Sequence, residues 1–429
     1  MLTLKQVAKY CGSYSAAILI NKVISGGLVF YNMHVLSSAE VGILSLINNF
    51  FSLIFFLFTG ALRHIAQFEF FHKTCRDRIR VINDLVSIYL MALLCLLITL
   101  SIVCKWVTSI FFNNYTQKSV LFLSAINNFL ILLSDFCVSI LILYGYYIFA
   151  GLLQIISVTI NAVLTMYLLS KALCIENILI ATFVSNLLVC CVMTVLYYAY
   201  NFSTEFDIKR SVGKIRYYVQ FSVSLLPSLM MGGIIGWYNR YFLFFLCGLD
   251  AVGMYSLVEM ANSLLQAIII NPVHSTYIPC LLKNFSENSD AYSQDVVNKK
   301  MIMICIVFAV VVVMVSFWAI MRYNFGIVLS HQKKIIPALA ITTIAHIFLA
   351  GSYCIAAFIN FMQYMWIINS AVVGTLVIAS IASYFFISYF NVTGAACSIL
   401  CAYIFYFCAL FIGNEITHKK HVQSFKVHV

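Results

Sequence analysis

Apolar runs of about 20 residues recur along almost the whole chain, and that recurrence decides what it can fold into. Each run is long enough for a helix to cross a bilayer, where backbone N–H and C=O groups must be satisfied within the segment. Spans are expected over roughly 11–33, 41–62, 85–104, 119–143, 147–169 and 177–200. A second set is expected over roughly 218–246, 252–280, 301–321, 336–360, 366–388 and 393–413, giving about twelve in all. The polar stretches between them reach only about 15–20 residues, too few to bury a core of their own. Charged residues make up 9% of the 429 positions and hydrophobic ones 63%, a balance unsuited to a soluble surface of this size. The chain is read as an all-α polytopic membrane protein. Its net charge of +11 sits mostly in short loops, so it is read as an orientation signal rather than a nucleic-acid footprint.

With the N-terminus inside, the cytoplasmic segments hold Lys5, Lys9, Arg63, Lys73, Arg76, Arg78, Arg80, Lys209, Arg210, Lys214 and Arg216. Further along they hold Lys283, Lys299, Lys300, Lys419, Lys420 and Lys426, against far fewer basic residues on the other side. Both termini of a multi-pass membrane protein are therefore expected in the cytoplasm. The polar linker NFSTEFDIKRSVGKIR at 201–216 divides the chain, and domains are drawn at 1–208 and 209–429, each a lobe of six helices around a central cavity. The halves look related. Val41-Gly42-Ile43-Leu44-Ser45-Leu46 opens the second span of the first half, and Val252-Gly253-Met254-Tyr255-Ser256-Leu257 opens its counterpart. Each follows an acid, Glu40 or Asp250. A parallel repeat with a substrate site between its halves is a recurrent transporter architecture.

Ionisable groups inside spans carry the functional information, because each costs several kcal/mol unless it faces a cavity or a partner. Lys22, Asp135, Arg240 and Glu259 lie well inside spans, and Arg63 lies at the inner end of the second. Lys22 is read either as a cavity cation or as a structural partner of Asp135 or Glu259. Arg240 offers a planar fork of donors that matches phosphate oxygens, or else an interfacial charge reaching outer headgroups. Trp237, Tyr238 and Tyr241 around it form either a sugar-stacking platform or part of an aromatic belt. Asp135 and Glu259 are candidates to carry a proton or Na⁺, or to sit in static pairs with Lys22 or Arg240. Intramembrane asparagines such as Asn21, Asn127 and Asn161 are read mainly as inter-helix glue, and His274 and His346 as satisfied membrane histidines. Pro272 and Pro279 in the eighth span, and Pro227 in the seventh, remove helix hydrogen bonds and suit gating elements. The basic run from Arg63 to Arg80 either sets topology or recruits an anionic lipid. The 15 cysteines are scattered through apolar runs without metal-ligand spacing, so no metal site is expected. No GxxxxGK[ST] phosphate loop occurs, and no catalytic residues are assigned.

Asn239-Arg240-Tyr241-Phe242-Leu243, Gly248 and Val252-Gly253-x-Tyr255-Ser256 resemble the Wzx-type polysaccharide flippases. So do VLSSAEVGILSL at 35–46 and GALRHIA at 60–66. These flippases belong to the multidrug/oligosaccharidyl-lipid/polysaccharide exporter superfamily. Arg240 and Arg63 match positions of that pattern. Asn239 departs from it, since the family usually carries an acid there, and Arg240 is left without a neighbouring carboxylate at that position.

The resemblance implies twelve helices in two lobes whose cavity opens alternately inward and outward. The implied substrate is an undecaprenyl-pyrophosphate-linked oligosaccharide, an O-antigen or related surface-polysaccharide repeat, carried from the cytoplasmic to the periplasmic leaflet. A polysaccharide polymerase and chain-length machinery would be partners, with no nucleic acid involved. On this reading the pyrophosphate head enters a cationic cavity lined by Lys22, Arg63 and Arg240 while the prenyl tail stays in lipid. Asp135 or Glu259 couples the cycle to a proton or Na⁺ gradient, with no bound cofactor. Two other readings stand beside it. A cation-coupled multidrug exporter of the same superfamily should favour carboxylates and aromatics in its cavity. A membrane polymerase or glycosyltransferase should carry a sizeable outer catalytic loop, which the short segments near 105–118 and 322–335 do not provide, so no enzymatic activity is expected.

Overall fold

A computed structural model describes residues 4–72, 75–111, 118–199, 208–266, 326–361 and 364–427. Among them every regular element is a helix. In chain order these are α1 (Leu4–Val35), α2 (Ser38–His72), α3 (Cys75–Phe111), α4 (Lys118–Leu143) and α5 (Tyr147–Lys171). They continue as α6 (Ile175–Ala199), α7 (Ile208–Cys247), α8 (Leu249–Leu265), α9 (Gly326–Phe361) and α10 (Met365–Val427). Eight windows within the described residues are long and apolar enough to cross a membrane. The last, Met365–Thr417, covers 53 residues and is broken by non-helical backbone at Asn391, so it holds the expected eleventh and twelfth spans. Helix α7, Ile208–Cys247, covers the expected seventh span, 218–246. The expected ninth span, 301–321, and the second half of the eighth, 267–280, lie outside the described residues. The chain is a multi-pass, all-α membrane protein.

Helices α2 and α3 outrun the spans expected for them. No proline or glycine interrupts the chain from Ala61 to Phe111, so nothing ends the helix at the membrane edge. The basic run Arg76, Arg78 and Arg80 therefore stands on the first turns of α3 rather than in a loop.

Helix ends follow local chemistry. Ser37 and Glu40 form a capping box at the start of α2. The Ser37 N–H and hydroxyl donate to Glu40 Oε2 at 2.9 and 2.8 Å, and the Glu40 N–H donates back to Ser37 Oγ at 3.3 Å. Helix α4 stops in a Schellman turn, where Gly145 takes φ +85° and the Tyr146 N–H reaches the Leu141 carbonyl at 2.9 Å. Gly248, φ +87°, makes the break between α7 and α8.

The described chain forms two compact units, Met1–Gly233 and Ile234–Val429, with the boundary inside α7, downstream of the 201–216 linker. In the first unit, α4 packs on α2, α3 and α6, and α5 on α1 and α6. Polar side chains tie these helices together: Tyr89 Oη donates to the Leu132 carbonyl at 2.8 Å, and Asn127 Nδ2 to the Leu179 carbonyl at 2.8 Å. Asn21 Nδ2 donates to the Gln154 carbonyl at 3.2 Å. This is the glue role expected of membrane asparagines. Buried Asp84 on α3 pairs with Lys214 on α7 at 2.8 Å. In the second unit, α9 packs on α8 and α10. The two hexapeptides that suggested a repeat occupy the opening turns of α2 and α8, and their burial patterns agree at every position but Leu44 and Tyr255.

Candidate functional site

The second unit holds the ionic site. Helices α7 and α8 are joined by the single residue Gly248, so they turn back sharply and bring Arg240 against Glu259 in an ion pair. Arg240 Nη1 also donates to the Gly236 carbonyl, one turn earlier, at 3.2 Å. A Cβ at position 236 would lie 3.2 Å from that Nη1 and 3.4 Å from Glu259 Oε1. The pair thus rests on bare backbone, which only glycine provides. The Arg240 and Glu259 side chains keep 12% and 21% of their surface exposed. The pair is largely buried but not sealed.

The neighbouring Asn239 is fully buried and completely hydrogen-bonded. Its Oδ1 accepts from the hydroxyls of Ser383 and Ser398, each at 2.7 Å, and its Nδ2 donates to Tyr255 Oη at 3.3 Å and the Ala395 carbonyl at 3.4 Å. Two donors and two acceptors are the full capacity of an amide. The node joins α7 to α8 and to both arms of α10. It fixes the backbone of α7 at the residue before Arg240, while the arginine side chain reaches a carbonyl and a carboxylate. The sequence alone offered Asn239 only as a departure from a motif; its seryl partners lie 144 and 159 residues away.

The first unit holds a separate polar cavity of about 250 Å³. Asn21 and Ser25 line it from α1, and Ser134 and Asp135 from α4. Gln154, Ser157 and Asn161 face it from α5, and Thr182, Ser185 and Asn186 from α6. Three helices present the same i, i+3, i+4, i+7 face: 131–134–135–138, 154–157–158–161 and 182–185–186–189. That periodicity is visible in the sequence and is the signal that would have found Gln154, Ser157, Thr182, Ser185 and Asn186. Asp135 is exposed and is the only ionisable group among the lining residues. Asn161 Oδ1 accepts only long bonds, 3.4 Å from Thr165 and from Thr182. The cavity therefore offers hard oxygens around one carboxylate, a set suited to a proton or a monovalent cation. No group of three or more His, Cys, Asp or Glu side chains that could hold a metal occurs among the described residues.

The other sequence candidates fall as follows. Lys22 is half-buried on α1, next to the cavity-lining Asn21. Arg63 lies on α2, which continues as helix to His72. Pro227 lies within α7, which remains helical through it. Pro272, Pro279 and His274 lie outside the described residues. His346 is satisfied at both ring nitrogens, Nδ1 with the Thr342 carbonyl at 2.7 Å and Nε2 with Gln266 Nε2 at 3.1 Å.

No protein-family model matches the chain, and no curated protein matches it. Solved structures do. The inward closed conformation of lipid II flippase MurJ superposes with a TM-score of 0.69 at 13% identity, over 95% of this chain and 87% of that one. An inward-facing multidrug resistance MATE transporter of the MOP superfamily gives 0.63 at 13% identity, over 100% and 97%. A MOP-superfamily transporter from Pyrococcus furiosus, for which reverse polarity of the binding pocket suggests a different function, gives 0.50 at 15% identity, over 98% of each chain. At these identities the likeness is one of fold. The chain has the fold of the flippases and multidrug transporters of this superfamily.

Proposed function

We propose that this protein is a flippase for a polyprenyl-pyrophosphate-linked oligosaccharide, carrying it from the cytoplasmic to the periplasmic leaflet of the inner membrane. The observation that carries the reading is Arg240: a guanidinium set within a membrane helix, backed by bare glycine backbone and still partly open. A fork of N–H donors at that depth suits a phosphoryl group that must cross low dielectric. The likeness in fold to a lipid II flippase supports a lipid-linked substrate. Lys22 and Arg63 are further proposed grips for the anionic head, and Pro227, Pro272 and Pro279 proposed points of helix flexing. Asp135, in its polar cavity, is the proposed seat of a coupling proton or Na⁺. Glu259 is placed beside Arg240 as its counter-ion.

One observation favours a second reading, a cation-coupled multidrug exporter. Glu259 neutralises Arg240, and the first unit's cavity presents a carboxylate, so a cationic cargo would also find a partner. A single experiment separates the two. In a strain lacking this protein, the leaflet distribution of lipid-linked oligosaccharide is measured with wild-type or Arg240→Ala restored. The flippase reading expects substrate to be synthesised normally but retained in the inner leaflet, with Arg240→Ala failing to rescue. Unchanged surface polysaccharide with Arg240→Ala at normal protein level overturns it.

A further inference from the structure

We propose that Glu259 is an internal competitor for the substrate's head group, occupying Arg240 when the site is empty and setting the affinity that a lipid head group must exceed to bind. This rests on the reading that Arg240 grips an anionic head. Three features of the site carry the proposal. Glu259 presents a carboxylate to the guanidinium, and a planar O–C–O pair uses the same donor geometry as two phosphoryl oxygens. Both side chains stay partly exposed, so an incoming anion can reach the pair without unpacking the helices. Gly236 lets both groups lie close against its bare backbone, while Asn239 holds the adjoining backbone still. The carboxylate can therefore swing off Arg240 while the arginine keeps its bond to the Gly236 carbonyl.

An arginine left alone among apolar helices is unstable, so some anion must always face it. In the empty protein Glu259 is that anion. A ligand must break this pair to bind, and the energy of the pair is subtracted from its affinity. A monophosphate head, with about −1.5 to −2 charge at neutral pH on a single phosphoryl centre, offers Arg240 less in exchange for the carboxylate than two linked phosphoryl groups do. A pyrophosphate brings more charge and more acceptor oxygens and wins the exchange. The same competition helps the head leave, since Glu259 returns to Arg240 as the ligand departs.

The test uses the full chain in phosphatidylcholine nanodiscs, with binding of undecaprenyl pyrophosphate, undecaprenyl monophosphate and undecaprenol measured for wild-type, Glu259→Gln and Arg240→Gln. Wild-type is expected to prefer the pyrophosphate. Glu259→Gln is expected to bind both phosphates about tenfold more tightly with the preference between them unchanged, because the cost of the broken pair is common to both. Pyrophosphate preference in wild-type with unchanged or weaker binding by Glu259→Gln overturns the competitor while leaving the head-group reading in place. Equal binding of all three lipids by wild-type, unaltered in Arg240→Gln, overturns the head-group reading itself. Thermal melting of each variant in the same nanodiscs reports folding. Should Glu259→Gln not fold, Glu259→Asp, whose shorter side chain draws the carboxylate back, is expected to tighten pyrophosphate binding by a smaller factor, and its failure to do so counts against the competitor.

Discussion

Replacing Asn239 with aspartate is nearly isosteric, yet the structure makes it a severe change. The amide receives two 2.7 Å bonds from Ser383 and Ser398 and gives two longer ones to Tyr255 and the Ala395 carbonyl. Asn239→Ala removes all four. Both seryl hydroxyls retain helix carbonyls as alternatives, Ala379 at 2.6 Å and Ala395 at 2.8 Å, so they are not stranded. Counting about 0.6–1 kcal/mol for each short inter-helix bond and about as much for the longer two together gives a loss of about 2 kcal/mol. Asn239→Asp keeps the two accepted bonds, and Tyr255 can turn its hydroxyl to donate. The Ala395 carbonyl, however, then faces an acceptor instead of an N–H, at a residue with no solvent exposure. An uncompensated buried charge and a lost donor together cost on the order of 4 kcal/mol. The expected stability order is wild-type, then Asn239→Ala, then Asn239→Asp. Equilibrium unfolding in mixed detergent micelles, followed by tryptophan fluorescence at neutral pH, measures it. An aspartate variant as stable as wild-type would refute the account of Asn239 as a saturated neutral node.

Two further predictions concern stability alone. A Cβ at Gly394 would collide with the Phe386 backbone carbonyl, whereas one at Gly374 would come within 2.7 Å of the Phe405 ring, which can rotate. Gly394→Ala is thus expected to lower the melting temperature well beyond Gly374→Ala, as a melting comparison of the two will show. Lys214→Met takes the cationic partner at 2.8 Å away from the buried Asp84 carboxylate, while Asp84→Asn removes the buried charge itself and leaves a half-exposed lysine. The first should cost about 2 kcal/mol more than the second in the same unfolding assay.

The periodic apolar runs made the helices legible because a bilayer enforces one rule on every span: internal hydrogen bonding. Where helices end was less legible. The long α2 and α3 follow from what is missing at the membrane edge, a breaker, rather than from any positive signal. The Ser37–Glu40 capping box was there to be read as S-x-x-E, yet Glu40 drew notice only as an acid preceding the repeat motif. At the site, Arg240 announced itself as a charge among apolar residues. Its pairing with Glu259 was one of several combinations the sequence allowed, and Gly248 decides among them by folding α8 back along α7. The Asn239 node could not be read at all, because hydrogen bonding between distant helices leaves no local pattern.

The cavity around Asp135 has a consequence for energy supply. With a single carboxyl among its lining residues, the proposed coupling seat would hold one monovalent cation at a time. One charge crossing the membrane yields about 2.3 kcal/mol per 100 mV. If that cavity drives the cycle, one such cation contributes a factor of about fifty to the outer-to-inner ratio of the cargo, on top of the potential's action on the cargo's own charge, from the equivalence of 1.4 kcal/mol to a factor of ten. The shape of one small pocket would then set how much of the gradient the coupling ion supplies, whatever the affinity of the site that grips the cargo.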